Sequence, residues 1–420
     1  MSKYRIRGNN RIMGQLSIGG AKNAVLPIIA AVCLNESICE IHNVPPIADT
    51  LASIEILKSI GCTVEFEGTT LKVDSSGPLS HDIPCEIAGR MRSSILFMGA
   101  MLGRVGKINI AMPGGCKLGA RAIDLHVGGL TKMGAKICIE DDRLHCEAAQ
   151  GLRGAHISLH TASVGATENL MLAAVLAKGE TVIENAAREP EIIDLAKFLN
   201  GMGAKVEGAG TGTIIITGVE RLKAAAKPHS IMPDRIVAGT YLVAAAMTGG
   251  LVTLQGVHSP DLAPVIEKLR EMGCTICHTT NCVTLAAPKR LKAVEITTEV
   301  HPGFPTDMQA QFVAALAIAE GRSVVRETIF ESRHAHAADL NRMGATIRIS
   351  DDCRTFIIKG MEKLHGATVA AQDLRGGAAL ILAALAAVGE TIVTGAEYVQ
   401  RGYACIEEDL RQLGADIVLL

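Results

Sequence analysis

The 420-residue chain carries 41 Lys and Arg against 43 Asp and Glu, for a formal net charge of −2, and has no Trp and only seven Phe. Near-neutral charge and scarce aromatic rings exclude a polyanion field and base-stacking platforms, so no nucleic-acid partner is expected. The longest apolar run, 376–389, is too short for a bilayer, and residues 1–20 lack the apolar stretch of a signal peptide. Twelve cysteines, mostly in apolar surroundings, suit a reducing compartment. A cytoplasmic protein is therefore expected, with neither a membrane nor an obligate protein partner.

In chain order, a short strand near Ile6 precedes a helix, 24–34, that is apolar on every side and hence belongs inside a domain. Strand Ser37–His42 follows. An amphipathic helix then ends at Ile60-Gly61-Cys62, and a hairpin runs from Val64–Gly68 into Leu71–Asp74. The same unit returns with apolar helices at 93–103, 168–178, 236–247, 308–319 and 376–388. Strands follow at Lys107–Ala111, Thr181–Asn185, Leu251–Gln255, Ser323–Glu327 and Thr391–Thr394. The glycines that close the amphipathic helices, Gly61, Gly134, Gly203, Gly273, Gly344 and Gly414, lie 73, 69, 70, 71 and 70 residues apart. So regular a spacing marks six copies of one supersecondary unit.

A chain of this length exceeds one core, and two domains of roughly 200 residues are expected. The sixth copy breaks off after Ala415-Asp416-Ile417-Val418, without its second hairpin strand. The missing strand stands at the front, where Ile6-Arg7-Gly8 parallels Ile216-Thr217-Gly218 and Ile358-Lys359-Gly360. The expected domains are 1–20 plus 231–420, on the catalytic side, and 21–230, which bears the 112–121 loop. The fold class is α/β: two inverse α/β-barrel-like domains, each of three repeats with buried helices, and an active site in the cleft between them.

Function should lie where the copies differ. The N-termini of the buried helices carry Lys22 and Asn23, Arg92, Thr161 and Ser163, Asp234 and Arg235, Asp307, then Asp373 and Arg375. Loops after the strands add Cys116, Lys117, Arg121, Arg333, His336 and Arg401. A cation at a helix N-terminus opposes the dipole, so repeated cations there point to an anion-filled cleft, although pairing with carboxylates also fits. Isolated Asp residues such as Asp234 and Asp307 are expected to be helix caps. The loop from Met112 to Arg121 is long and Gly-rich, which makes it a lid candidate. Its Cys116 stands beside Lys117 and Arg121, which favour the thiolate. Cys274-Thr275-Ile276-Cys277-His278 has a haem-attachment spelling, but strand alternation sends its cysteines to opposite faces.

Several of these segments in combination resemble one family. They are Gly20-Ala21-Lys22-Asn23, Met91-Arg92, Pro113-Gly114-Gly115-Cys116, Ser163-Val164-Gly165-Ala166-Thr167, Asn185-Ala186-Ala187-Arg188-Glu189-Pro190-Glu191, Pro302–Gln309 and Arg401-Gly402-Tyr403. The chain resembles, end to end, the UDP-N-acetylglucosamine 1-carboxyvinyltransferases (enolpyruvyltransferases) of the EPSP synthase superfamily. That resemblance implies transfer of enolpyruvate from phosphoenolpyruvate to the 3-hydroxyl of UDP-N-acetylglucosamine, with loss of phosphate, at the first committed step of peptidoglycan synthesis. It assigns Lys22, Asn23, Arg121 and Arg401 to phosphoenolpyruvate, Cys116 as the acid, and Asp307 as the base or positioning group. For the nucleotide sugar it implies Arg92, the segment Arg121, Ala122, Ile123, Asp124 and Leu125, the segment Thr161, Ala162, Ser163 and Val164, Asp307 and Ile329. Arg333 and Arg375 complete the charged cleft, and neither metal nor organic cofactor is called for. Ala122 and Val237 depart from the commonest family residues at their positions.

Two other readings remain. The sister enzyme acting on shikimate 3-phosphate lacks a lid cysteine, and its Gly-Asn-Ala-Gly-Thr signature is absent here. A non-catalytic nucleotide-sugar sensor would have no need of Cys116 as a proton donor.

Overall fold

Six buried helices organise the described residues. The computed structural model describes residues 2–114 and 123–420. These fall into two compact units, one built from 20–114 and 123–232, the other from 2–19 and 233–420. The first unit holds Lys22–Ala31, Leu96–Arg104 and Val164–Ala174 in its interior. The second holds Arg235–Met247, Gln309–Leu316 and Leu374–Ala386. Rich in Ala, Leu and Ile, these helices bury all sides and pack at close range; Gly99, for example, lies against the Asn169 backbone.

Among the described residues the strands form six separate sheets around these helices, and every sheet repeats one plan. The strand that follows a buried helix is flanked on one side by a parallel edge strand and on the other by the amphipathic-helix hairpin. In one sheet this gives His156–Ser158, Glu180–Glu184, Thr213–Thr217 and Lys205–Glu207. In the sheet of Lys107–Ala111 the parallel neighbour shrinks to a single bridge between Asp82 and Asn109. This is the mixed α/β, helices-inside architecture that the repeat pattern implies.

Strand Lys3–Arg7 occupies the hairpin place in the last sheet, antiparallel to both Glu390–Thr394 and Asp416–Leu419. Ile6 lies opposite Thr391 and Ile417. The equivalence extends to the next residue: Gly8 N donates to Gly389 O at 3.1 Å, as Gly218 N does to Gly179 O and Gly360 N to Gly321 O at 3.0 Å. At each of the three a side chain would overlap a carbonyl oxygen, those of Ala387, Ala177 and Ala319.

The six signature glycines all adopt φ between 94° and 106°, a region that L side chains avoid. The residue after each returns its N–H to a leucine carbonyl five positions back: Leu57, Leu130, Leu199, Leu269, Leu340 and Leu410. This 6→1 closure satisfies a carbonyl that the helix end leaves over. Cys274 is buried and Cys277 exposed, as strand alternation requires. No helix among the described residues is long and apolar enough to cross a membrane.

Candidate active site

In the unit of 2–19 and 233–420, Asp307 sits in the turn Thr306–Met308 at the head of the buried helix Gln309–Leu316. It is not the cap that its position led us to expect. Its Oδ1 accepts from Arg333 Nη1 at 2.9 Å, and its Oδ2 from Arg375 Nη2 at 3.0 Å. The guanidiniums are 5% and 4% exposed, the carboxylate 22%, so its open side is the accessible part of this cluster. Burial alone would raise the Asp307 carboxyl, but Arg375 and Arg333 outweigh it and hold the group well below the usual carboxylate range.

Capping falls to neighbouring acids. Asp234 accepts from Ile236 N and Val237 N, and Asp373 from Arg375 N and Gly376 N. Asp373 thereby fixes the backbone of Arg375, whose Nη1 also reaches the hydroxyl of buried Tyr403 at 3.5 Å. That hydroxyl lies 2.9 Å from Thr240 Oγ1, which accepts from Gln311 Nε2 at 3.2 Å. Anchoring Tyr403 fixes the turn that carries half-buried Arg401 two residues earlier.

Arg333 is held from three sides. Its Nη1 also donates to Thr306 Oγ1 at 2.9 Å, its carbonyl accepts from Gln309 Nε2 at 3.3 Å, and its guanidinium lies 4.6 Å from the Phe330 ring centroid. Ile329 is half-buried just before it. Neighbouring His336 is buried against Phe356, and burial pushes its imidazole down to about 4.

In the other unit, Lys22 opens the first buried helix with Asn23 beside it. Lys22 Nζ lies 2.8 Å from Oδ2 of Asp49, a buried acid in the first turn of helix Ala48–Ser59. Arg92 opens the 3₁₀ turn Arg92–Ile95, half-buried, with its pKa lowered by burial. Burial and then the Arg92 charge push nearby His126 down to about 4. Asn169 fixes its tautomer. Gly99 N donates to Asn169 Oδ1 at 2.7 Å, so Asn169 Nδ2 faces His126 Nδ1 at 2.9 Å and the ring proton belongs on Nε2.

His126 joins the predicted sugar-site segments. Asp124 and Leu125 stand in the first turn of its own helix, Asp124–Lys132, behind Ile123. Its ring also faces Gly165, the residue after Val164 in the third buried helix. Ser163 caps that helix through Ala166 N at 3.4 Å, with exposed Thr161 and half-buried Ala162 preceding it. Asp124, also exposed, lies 3.9 Å from His160. Arg92, 123–125 and 161–164 are thus gathered in one unit. Lys22 is linked to them through the helix of Asp49, whose Ser53 touches the Met91 sulfur at 3.5 Å. Cys116, Lys117, Arg121 and Ala122 lie outside the described residues.

Sequence reasoning passed over Asp49, His126, Asn169, Glu168 and Glu327. A polar residue in an apolar helix was the available signal for Glu168 and Asn169. Burial, with Glu191 and Glu189 nearby, raises Glu168 well above the ordinary carboxyl range. No group of three or more metal-ligating side chains suited to a metal ion occurs among the described residues.

A family model described as EPSP synthase (3-phosphoshikimate 1-carboxyvinyltransferase) matches residues 6–410. The chain belongs to this carboxyvinyltransferase family. Its similarity to curated members runs end to end. It is 49% identical over 419 residues to UDP-N-acetylglucosamine 1-carboxyvinyltransferase 2 of Caldanaerobacter subterraneus subsp. tengcongensis, covering 100% of this chain and 99% of the relative. It is 45% identical over 417 residues to the UDP-N-acetylglucosamine 1-carboxyvinyltransferase of Geobacter metallireducens, covering 99% of each. Among solved structures, the enolpyruvyl transferase NikO from Streptomyces tendae aligns with TM-score 0.89 at 26% identity, over 100% of this chain and 98% of that one. An EPSP synthase from Acinetobacter baumannii aligns over 100% of both chains with TM-score 0.75 at 20% identity, a likeness of fold. The resemblance read from the motifs is borne out.

Proposed function

We propose that the chain transfers enolpyruvate from phosphoenolpyruvate to the 3-hydroxyl of UDP-N-acetylglucosamine and releases phosphate. The observation that carries this is the 45–49% identity, over essentially the full chain, to relatives named for that acceptor. The implied biological setting is peptidoglycan synthesis.

The reaction adds a proton to the methylene carbon of phosphoenolpyruvate while the sugar hydroxyl attacks C2. Loss of a proton from the same methyl and departure of phosphate then restore the double bond. Lys22, Arg121 and Arg401 carry charge to match the phosphate and carboxylate, with Asn23 as a hydrogen-bonding neighbour. Cys116 supplies the proton, and its thiolate is the nucleophile for a covalent adduct at C2 and for alkylation by fosfomycin. Asp307 is a poor base in bulk terms, because two guanidiniums stabilise its ionised form. Its task is to accept a hydrogen bond from the attacking hydroxyl and orient it, a role its partial exposure permits. Arg92, Ile123–Leu125, Thr161–Val164 and Ile329 bind the nucleotide sugar.

The test is phosphate release from phosphoenolpyruvate with UDP-N-acetylglucosamine, run beside shikimate 3-phosphate and a Cys116→Ala control. Release with the nucleotide sugar alone, lost in the variant while sugar binding persists, is the expected result. Release with shikimate 3-phosphate, or sugar binding without turnover in the parent protein, would overturn the reading.

A further inference from the structure

Glu327 follows strand Arg322–Arg326, is 2% exposed, and is met by hydrogen-bond donors with no paired cation among the described residues. Four donors converge on it. Oε1 accepts from Thr298 Oγ1 at 2.8 Å, Ile329 N at 2.8 Å and Phe330 N at 3.1 Å, while Oε2 accepts from Thr306 Oγ1 at 2.8 Å. The first oxygen folds the turn that presents Ile329 and places the Phe330 ring under Arg333. The second acts on polarity. Thr306 has one hydroxyl proton, and a carboxylate can only accept, so the proton points at Glu327. The lone pairs of Thr306 Oγ1 are then left for Arg333 Nη1, the same nitrogen that meets Asp307.

We propose that Glu327 is a positioning residue for the transfer reaction, setting the Arg333 guanidinium against Asp307 through Thr306 and the Ile329–Phe330 turn. The proposal rests on the reading that Asp307 and Arg333 serve the reaction. Burying a carboxylate this deeply is unfavourable without such donors, and three of the four belong to Thr306, beside Asp307, and to the Ile329–Phe330 turn that leads to Arg333.

The experiment is a double-mutant cycle on kcat and KM for UDP-N-acetylglucosamine, with Glu327→Ala, Arg333→Ala, the double variant and Asp307→Asn. Glu327→Ala is expected to lower kcat/KM about tenfold or more, yet to add less than about twofold in the Arg333→Ala background, because both remove one linkage. Glu327→Gln keeps an acceptor for the turn and should recover most of the loss. Full additivity, or a lowered Tm with the kinetic loss not recovered by Glu327→Gln, would reduce Glu327 to a structural role and overturn the proposal. If Glu327→Ala does not fold, Thr306→Val cuts the same link and must show the same non-additivity. Wild-type kinetics in both Asp307→Asn and Arg333→Ala would instead remove the site reading itself, whatever Glu327 does.

Discussion

Arg375 and Asp307 meet through Nη2 and Oδ2 at 3.0 Å, while the other carboxylate oxygen is taken by Arg333. One carboxylate therefore compensates two guanidiniums that are almost wholly buried. Asp307→Asn keeps the shape and removes the charge. We expect it to cost about 3 kcal/mol of stability, because an uncompensated buried ion is the expensive species, and to lower turnover at least ~100-fold. Thermal unfolding beside a phosphate-release assay checks both; an unchanged Tm would mean that the guanidiniums find other partners.

Asp49 is predicted to hold Lys22 in place. Asp49→Asn should raise KM for phosphoenolpyruvate several-fold while leaving kcat within about threefold, the pattern of a lost ground-state contact. A fall in KM would make Asp49 a competitor for the ammonium instead. Initial-rate kinetics at varied phosphoenolpyruvate distinguish the two.

The acid response of stability should come from histidines. His126 and His336 are each held down to about 4 from an ordinary 6.5, chiefly by burial. Between those values the unfolded chain binds the protons that the folded chain refuses, so stability falls as pH drops from 6.5 toward 4. The slope is about 1.4 kcal/mol per pH unit for each ring. Asp307 acts lower down: its depressed carboxyl contributes stability above the ordinary carboxylate range, which is lost only as pH falls through its own lowered value. Denaturant midpoints at several pH values should flatten in His336→Leu, and an unchanged slope would contradict this account.

Two glycines should respond oppositely to alanine. Gly360→Ala would drive a methyl into the Ala319 carbonyl, with a loss of about 2 kcal/mol or more. Gly128, exposed within helix Asp124–Lys132, has open space around it, so Gly128→Ala should be neutral or stabilising by up to ~1 kcal/mol. Chemical denaturation of both variants makes the comparison.

Those glycines also mark what could be read from the residues alone. The six helix ends were legible because the positive φ that closes each helix demands glycine, set each time between an apolar and a small residue. Ile6-Arg7-Gly8 was legible as a displaced strand because the glycine that must approach a carbonyl travels with it. Burial patterns misled at the third buried helix, which begins at Val164 and not near 168. Its first turns hold Thr167, Glu168 and Asn169, all buried; Thr167 and Asn169 find their partners, Ala187, Gly99 and His126, far away in sequence. Asp307 looked like a cap because local position cannot reveal that Arg333 returns from the loop after the next strand and Arg375 arrives from the following repeat. Asp49 and Glu327 had no signal at all: each is an ordinary acid at an element end until the fold supplies its donors.

The strand Lys3–Arg7 lies between two strands made from the last thirty or so residues of the chain. During synthesis it is made long before either neighbour and waits, unpaired on both edges, until they follow. The unit of 20–114 and 123–232 has no such debt to the far end and can assemble while translation continues. Slow translation between this strand and its neighbours would therefore burden one unit and spare the other.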